Sequence, residues 1–171
     1  MRSAQGFTLI ELLVVISIIS ILGVMGFVNF KDFSTDQVAL KGVGQIQSLL
    51  RLAQTNATSF TVCNGITATA WYLNFPNSNT IQLNCNPGGT VKTYTLQDAQ
   101  IVVTGDSGCA IPFPLTVNYS TGAGTQSLVS AGALPSCLLS SFITFTVQNT
   151  KNPTASPKPF KVSKGGAINV E

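Results

Sequence analysis

The fold is decided by residues 12–28, which read LLVVISIISILGVMGFV and carry no formal charge. Together with residues 7–10 they form a run of apolar and small polar residues that one acid, Glu11, interrupts. Because about 20 apolar residues in a helix span the hydrocarbon core of a bilayer, the run predicts a transmembrane helix. Arg2 and the free amine in front of it predict that the N-terminus stays on the cytoplasmic side.

A secretory signal peptide is the main alternative, because it also joins a basic leader to an apolar stretch. The leader here is very short, however, the apolar run is longer than a signal peptide needs, and no clear cleavage site precedes Lys31 and Asp32. A buried helix in a soluble core is the second alternative. A helix that is apolar on all sides would find little to pack against in a chain of 171 residues. The sequence therefore favours a membrane span.

The composition argues against an enzyme. Charged residues make up 9% of the chain, against about a quarter in typical soluble domains, and there is no histidine. The lack of histidine removes Ser–His and Cys–His nucleophile pairs, imidazole bases and His-ligated zinc. Asp98 and Asp106 are too isolated to form a catalytic carboxylate pair. We therefore expect no catalytic residues, no metal and no cofactor.

Glu11 is the unusual residue of the apolar run. A carboxylate inside an apolar segment opposes membrane insertion unless it is paired, and the chain offers no positive charge nearby. A neighbouring molecule would supply the partner if its N-terminal amine lay at the same depth.

The segment from Gly6 to Val15, GFTLIELLVV, resembles the N-terminal signature of type IV prepilins. The resemblance implies that a membrane prepilin peptidase cuts between Gly6 and Phe7 and methylates the new N-terminus at Phe7. The helix would then anchor the protein in the membrane and later pack with other pilin or pseudopilin subunits in a filament. Glu11 would form the assembly salt bridge with the Phe7 amine of an adjacent subunit, with an inner-membrane assembly platform as a further partner.

Beyond the apolar run, the spacing of apolar residues predicts a second helical stretch with one buried stripe. The stripe consists of Ile46, Leu49, Leu50, Ala53, Ala57 and Phe60. After Phe60 the helical period disappears, and short runs rich in β-branched and aromatic residues follow, separated by Gly, Pro and Asn. These runs are 60–63, 70–75, 80–83, 91–96, 100–103, 115–119, 142–147, 160–163 and 167–170. Short turns favour antiparallel hairpins, with one face of the sheet on the helix.

The expected fold is therefore α+β, with a long N-terminal helix packed on a C-terminal antiparallel β domain, as in pilins. We expect a leader at 1–6, a transmembrane and filament-core helix at 7–30, an amphipathic continuation at 31–60 and the β domain at 61–171. The protein would sit in the cytoplasmic membrane as a single-pass protein, with the β domain outside the cytoplasm, before it joins a pilus or pseudopilus.

Two stretches are similar to the GspH/FimT group of minor pseudopilins and pilins. Residues 52–57, followed by Cys63 and Trp71, are similar to that group's helix end and first strand, and residues 160–168 to its terminal hairpin. Gln54 and Ala167 stand where the group has arginines. The implied function is that of a minor type IV pilin or a type II secretion pseudopilin.

Four cysteines lie in the exported region, where oxidation can occur. Their spacings match no metal motif. Three pairings are open; we favour Cys63 with Cys85 and Cys109 with Cys137, since each closes a local loop. A reducing exterior would leave buried thiols instead.

Three lysines near the C-terminus, Lys158, Lys161 and Lys164, lie in a stretch with no acid between Asp106 and Glu171. They form either a solvated edge or, as in some FimT-like minor pilins, a DNA-binding region at a pilus tip for DNA uptake. Lysine contacts to phosphate would make such binding strongly salt-dependent. DNA is therefore the alternative partner.

Overall fold

A computed structural model describes residues 8–106, 108–122, 126–130, 141–152, 155–163 and 165–170, without the side chains of 24–35, 126–130 and 170. The chain divides into two compact units, Met1–Thr35 and Asp36–Glu171. The described residues form one helix and eleven strands: α1 Leu9–Thr58, β1 Val62–Cys63, β2 Ile66–Thr67, β3 Ala70–Phe75, β4 Thr80–Asn86, β5 Gly89–Thr95, β6 Ala99–Gly105, β7 Leu115–Ser120, β8 Gln126–Ser130, β9 Phe142–Asn149, β10 Lys158–Ser163 and β11 Ile168–Val170.

In the second unit, α1 buries the stripe that its sequence predicts. Five members of that stripe are at most 3% exposed: Ile46, Leu49, Leu50, Ala53 and Ala57. They join one core with the inner faces of the sheets. Gly42 allows the helix to approach β9 closely, since a Cβ atom there would lie 2.9 Å from Val147 Cγ1.

Phe60 is a correction to that stripe, because its side chain is 58% exposed. The helix ends at Thr58, and Phe60 adopts a left-handed φ of 53°. The N–H of Thr61 donates to the carbonyl of Asn56 at 3.0 Å, which is the 6→1 bond of a Schellman cap. Because the chain turns at this point, Phe60 does not continue the buried stripe, and Ala57 is its last member.

The strands form a five-stranded sheet in the order β5-β4-β3-β7-β8, a four-stranded sheet in the order β11-β10-β9-β6, and the separate hairpin β1-β2. All pairings are antiparallel, so the predicted α+β class and antiparallel pairing are confirmed. Burial alternates along β3, β6 and β9, so each strand turns one face to the core. The two larger sheets meet where the rings of Phe75 and Phe145 lie 5.5 Å apart.

Two strands were not predicted, β2 and β8. The short β2 pairs with β1 across Asn64 and Gly65, both with positive φ. An Asn-Gly pair at that position is the signal of a two-residue hairpin turn, and the signal is present in the sequence. β8 pairs with β7 as the edge of the five-stranded sheet, and its five residues are too mixed to show a period.

Candidate assembly site on the N-terminal helix

Thr8 caps the start of α1. The backbone N–H of Glu11 donates to Thr8 Oγ1 at 3.4 Å, and the N–H of Leu12 donates to the Thr8 carbonyl at 3.2 Å. A Thr followed three residues later by Glu is the sequence pattern of a capping box, and an acid in the first turn also complements the helix dipole. The observed cap is the bond from the Glu11 backbone N–H to Thr8 Oγ1, and the Thr-x-x-Glu pattern that signals it is present in the sequence.

The helix surface after Glu11 is apolar and uncovered. Eleven large apolar side chains between Leu9 and Leu22 are 44–81% exposed, and they lie on all sides of the helix rather than on one stripe. Apolar patches of this extent are rare on soluble monomers and mark sites that a membrane or another protein covers.

The two hydroxyl groups in this segment are satisfied within the helix. Ser17 Oγ donates to the carbonyl of Leu13 at 2.8 Å, and Ser20 Oγ donates to the carbonyl of Ile16 at 2.8 Å. Because an unpaired hydroxyl in an apolar medium carries a free-energy cost, this bonding makes the segment compatible with apolar surroundings. Glu11 remains the one formal charge among residues 8–22.

Glu11 is exposed, and neither of the two ion pairs found among the described residues, Lys151–Asp98 and Lys158–Asp36, includes it. Its carboxylate is therefore accessible to a partner molecule. The predicted cleavage and methylation residues, Gly6 and Phe7, lie outside the described residues.

The predicted basic region does not form one patch in the described residues. On β10, Lys158 and Lys161 are three residues apart in a continuous register, so they lie on opposite faces of the strand. Lys158 is 28% exposed and lies 3.7 Å from Asp36 Oδ2. Lys161 lies over the ring of Phe142, 4.9 Å from its centroid. Lys164 lies outside the described residues.

Acids from elsewhere in the chain neutralise part of this charge. Asp36 of α1 reaches Lys158, and Asp98, just before β6, lies 2.8 Å from Lys151. Although no acid is near these lysines in the sequence, the fold therefore brings acids close to two of them, Lys151 and Lys158.

The predicted pairing of Cys63 with Cys85 is confirmed. This disulfide joins β1 to β4, and Cys85 lies directly opposite Trp71 in the β3-β4 register. Cys109 is also disulfide-bonded, while Cys137, its predicted partner, lies outside the described residues. The crosslink ties the small β1-β2 hairpin to the five-stranded sheet.

Tyr119 lies on the core face of β7 directly opposite Trp71. Its side chain is fully buried, and its hydroxyl has no hydrogen-bond partner among the residues that the structure describes. Burial raises the pKa of Tyr119 to about 12, because the phenolate would lose its hydration. This residue belongs to the buried core of the second unit.

Residues 1–27 match the family model described as the prokaryotic N-terminal methylation motif. The chain therefore carries the signature of type IV pilins and pseudopilins at its N-terminus. No curated protein and no solved structure matches the chain. Among the residues that the structure describes, no helix is both long enough and apolar enough to cross a membrane.

Proposed function

We propose that the protein is a minor type IV pilin or type II secretion pseudopilin, a structural subunit without catalytic activity. The methylation motif supports a pilin-like substrate of prepilin peptidase that assembles with other pilin subunits. The single observation that carries the proposal is the uncovered apolar surface of Leu9–Leu22, directly inside that motif. We further propose that this surface first anchors the chain in the cytoplasmic membrane, with the β domain outside the cytoplasm, and is then covered by neighbouring subunits recruited by the assembly platform.

The GspH/FimT subgroup is a finer part of the same proposal. Two observations support it: the helix leads into a first strand with Cys63, and the disulfide partner of Cys63 lies opposite Trp71. The two positions that lack the group's arginines, Gln54 and Ala167, line the same cleft beside Arg51. Arg51 therefore supplies a positive charge close to the place where the group has its arginines.

Processing is tested first by mass spectrometry of the protein purified from its own membranes. We expect a mature chain that begins at Phe7 and carries one N-terminal methyl group. Replacement of Gly6 by Val should leave the full chain uncleaved and absent from sheared filaments. A mature form that retains residues 1–6, or a chain released without its apolar helix, would contradict the proposal.

The role of Glu11 is tested with two variants that separate its charge from its capping contact. Glu11→Gln removes the charge, but Gln still suits the third position of a capping box. Thr8→Ala removes the cap, at about 1 kcal/mol, and keeps the charge. If the carboxylate pairs with the amine of a neighbour, Glu11→Gln should be inserted and cleaved but depleted at least tenfold from filaments, whereas Thr8→Ala should assemble. Normal assembly of Glu11→Gln would refute the pairing.

DNA binding through Lys158, Lys161 and Lys164 stays a separate prediction. The described lysines give it little support, since one is paired with Asp36 and the other lies on the opposite strand face. We would measure DNA binding by the full chain across a salt series, against a variant with all three lysines changed to Gln and a control with the exposed Lys92 changed to Gln. Binding that falls with salt and is lost only in the triple variant would favour DNA uptake.

A further inference from the structure

The outer face of the five-stranded sheet contains a hollow of about 430 Å³. It lies where β3 and β7 pair, beside the end of β4, and it is lined by Ala70, Tyr72, Asn86, Thr116 and Asn118. Because side chains alternate along a strand and the neighbours of these residues on β3 and β7 are buried in the core, this face points away from the core. The small side chain of Ala70 leaves the space beside the ring of Tyr72.

Hydrogen-bonding groups without partners gather at this hollow. Asn118 Oδ1 is shielded from solvent and has no hydrogen-bond partner in the described part of the chain. The Tyr72 hydroxyl and the Asn86 side-chain amide make no hydrogen bond within the described residues. On the neighbouring rung of the same face, by contrast, Asn74 Nδ2 donates to Gln82 Oε1 at 3.1 Å. Thr116, which lines the hollow, is also satisfied, since its Oγ1 donates to Asn74 Oδ1 at 3.4 Å. Among the described residues, the groups of the hollow that lack a partner are therefore those of Tyr72, Asn86 and Asn118.

The chemistry of the lining fits an uncharged ligand rich in hydroxyl groups. Each of the two amides both donates and accepts, as does the hydroxyl of Tyr72. The Thr116 hydroxyl already donates to Asn74 Oδ1 and can only accept from a ligand. The ring of Tyr72 offers a flat apolar surface. All five lining residues are uncharged, whereas recognition of nucleic-acid phosphates relies mainly on Lys and Arg. A concave site with a few convergent polar groups is the usual form of a small-molecule site.

We propose that this hollow binds a short segment of a neutral saccharide chain. The ring of Tyr72 stacks on the face of one sugar, and the amides of Asn86 and Asn118 bond its hydroxyl groups. The site lies on the β domain and is independent of the proposed assembly function. A negative result for saccharide binding therefore does not affect the assembly proposal, and the reverse also holds.

The test uses the purified full chain in a zwitterionic detergent without a sugar headgroup, because glucoside or maltoside detergents would compete. The probes are chitotetraose, cellotetraose and maltotetraose, titrated by calorimetry. We expect at least one to bind, and both Tyr72→Ala and Asn118→Ala to weaken that binding at least tenfold. Asn169→Ala, an exposed Asn on β11, is the matched control and should leave it unchanged.

Folding of each variant is checked by the fluorescence of the buried Trp71, which lies next to Tyr72 on β3. If Asn118→Ala fails to fold, two other measurements take its place. One is the affinity of Tyr72→Phe, and the other is the side-chain amide NMR spectrum of the unmodified chain. The Phe variant keeps the ring and should retain part of the affinity, and the signals of Asn86 and Asn118 should shift when the sugar is added. Absence of binding by all three probes at millimolar concentration would overturn the proposal. So would binding that survives Tyr72→Ala, or single-stranded DNA that binds and is lost in the same variants.

Discussion

The Cys63–Cys85 disulfide should supply a large part of the stability of the β domain. It closes a loop of 22 residues in sequence, which in the chain-entropy model corresponds to about 3.4 kcal/mol at 25 °C. Within the described residues, the hairpin that it holds forms a separate two-stranded sheet with no strand ladder to either larger sheet. Removal of the crosslink should therefore both destabilise the domain and loosen the hairpin locally.

The assay is a guanidinium titration of the full chain in detergent, monitored by Trp71, the one tryptophan in the sequence. Trp71 is 4% exposed and lies opposite Cys85, so its emission reports on this region. With a slope of about 4 kcal/mol per molar guanidinium, the loss of 3.4 kcal/mol lowers the midpoint by roughly 0.9 M. Limited proteolysis between Phe60 and Thr69 should become faster in the same variants.

A comparison of single and double variants separates the crosslink from the packing of the sulfur atoms. Since either substitution breaks the same bond, Cys63→Ala, Cys85→Ala and the double variant should lose nearly equal free energies of unfolding. If the double variant instead loses the sum of the two single-variant free energies, the packing of the sulfur atoms dominates over the crosslink. A loss below about 1 kcal/mol with unchanged proteolysis would refute the reasoning.

Two further predictions concern the core. Gly42→Ala should lower the free energy of unfolding by about 1–2 kcal/mol, because its Cβ atom would lie 2.9 Å from the stiff side chain of Val147. Gly44→Ala is the matched control, since its Cβ atom meets nothing within 4 Å. It should instead raise the free energy of unfolding by about 0.5–1 kcal/mol in the same denaturant titration. The buried Tyr119 should make stability fall at high pH: its pKa is about 12 in the folded state and about 10 when unfolded, so the unfolded chain releases the proton first. Free energies of unfolding should therefore decline between pH 10 and 12, and Tyr119→Phe should remove that part of the decline, whereas an equal decline in the variant would contradict the assignment.

Features that depend on local periodicity could be predicted from the sequence. The helical stripe from Ile46 to Ala57 was found because its apolar spacing has one explanation, and most strands were found because each carries several β-branched or aromatic residues in a row. Phe60 was misassigned because the spacing continues by chance past the end of the helix. The cap that ends the helix depends on a left-handed residue, and only glycine would have signalled it clearly.

Features that depend on tertiary contacts could not be predicted. The ion pair between Lys158 and Asp36 joins β10 to α1, and no pattern near either residue indicates it. The separation of Lys158 and Lys161 onto two faces could have been foreseen, since residues three apart in a strand point in opposite directions. The hollow around Tyr72 arises only when β3, β4 and β7 lie side by side, so no single stretch of the sequence contains it.

The exposed apolar segment of α1 sets a condition on how a subunit can assemble under the proposed function. Eleven side chains, each about half exposed or more, at roughly 1.5–3 kcal/mol for a fully buried side chain, correspond to on the order of 10–20 kcal/mol of apolar burial. A single subunit that left the membrane for water would lose this amount, which exceeds the stability of most domains. Transfer must therefore be coupled to packing against neighbouring helices, so that apolar surface passes from lipid to protein without exposure to water. In that transfer apolar burial hardly changes, because lipid tails and helix side chains are similarly apolar. The charge on Glu11 is then the feature that distinguishes a correctly placed neighbour, and this is why Glu11→Gln should block assembly while membrane insertion is preserved.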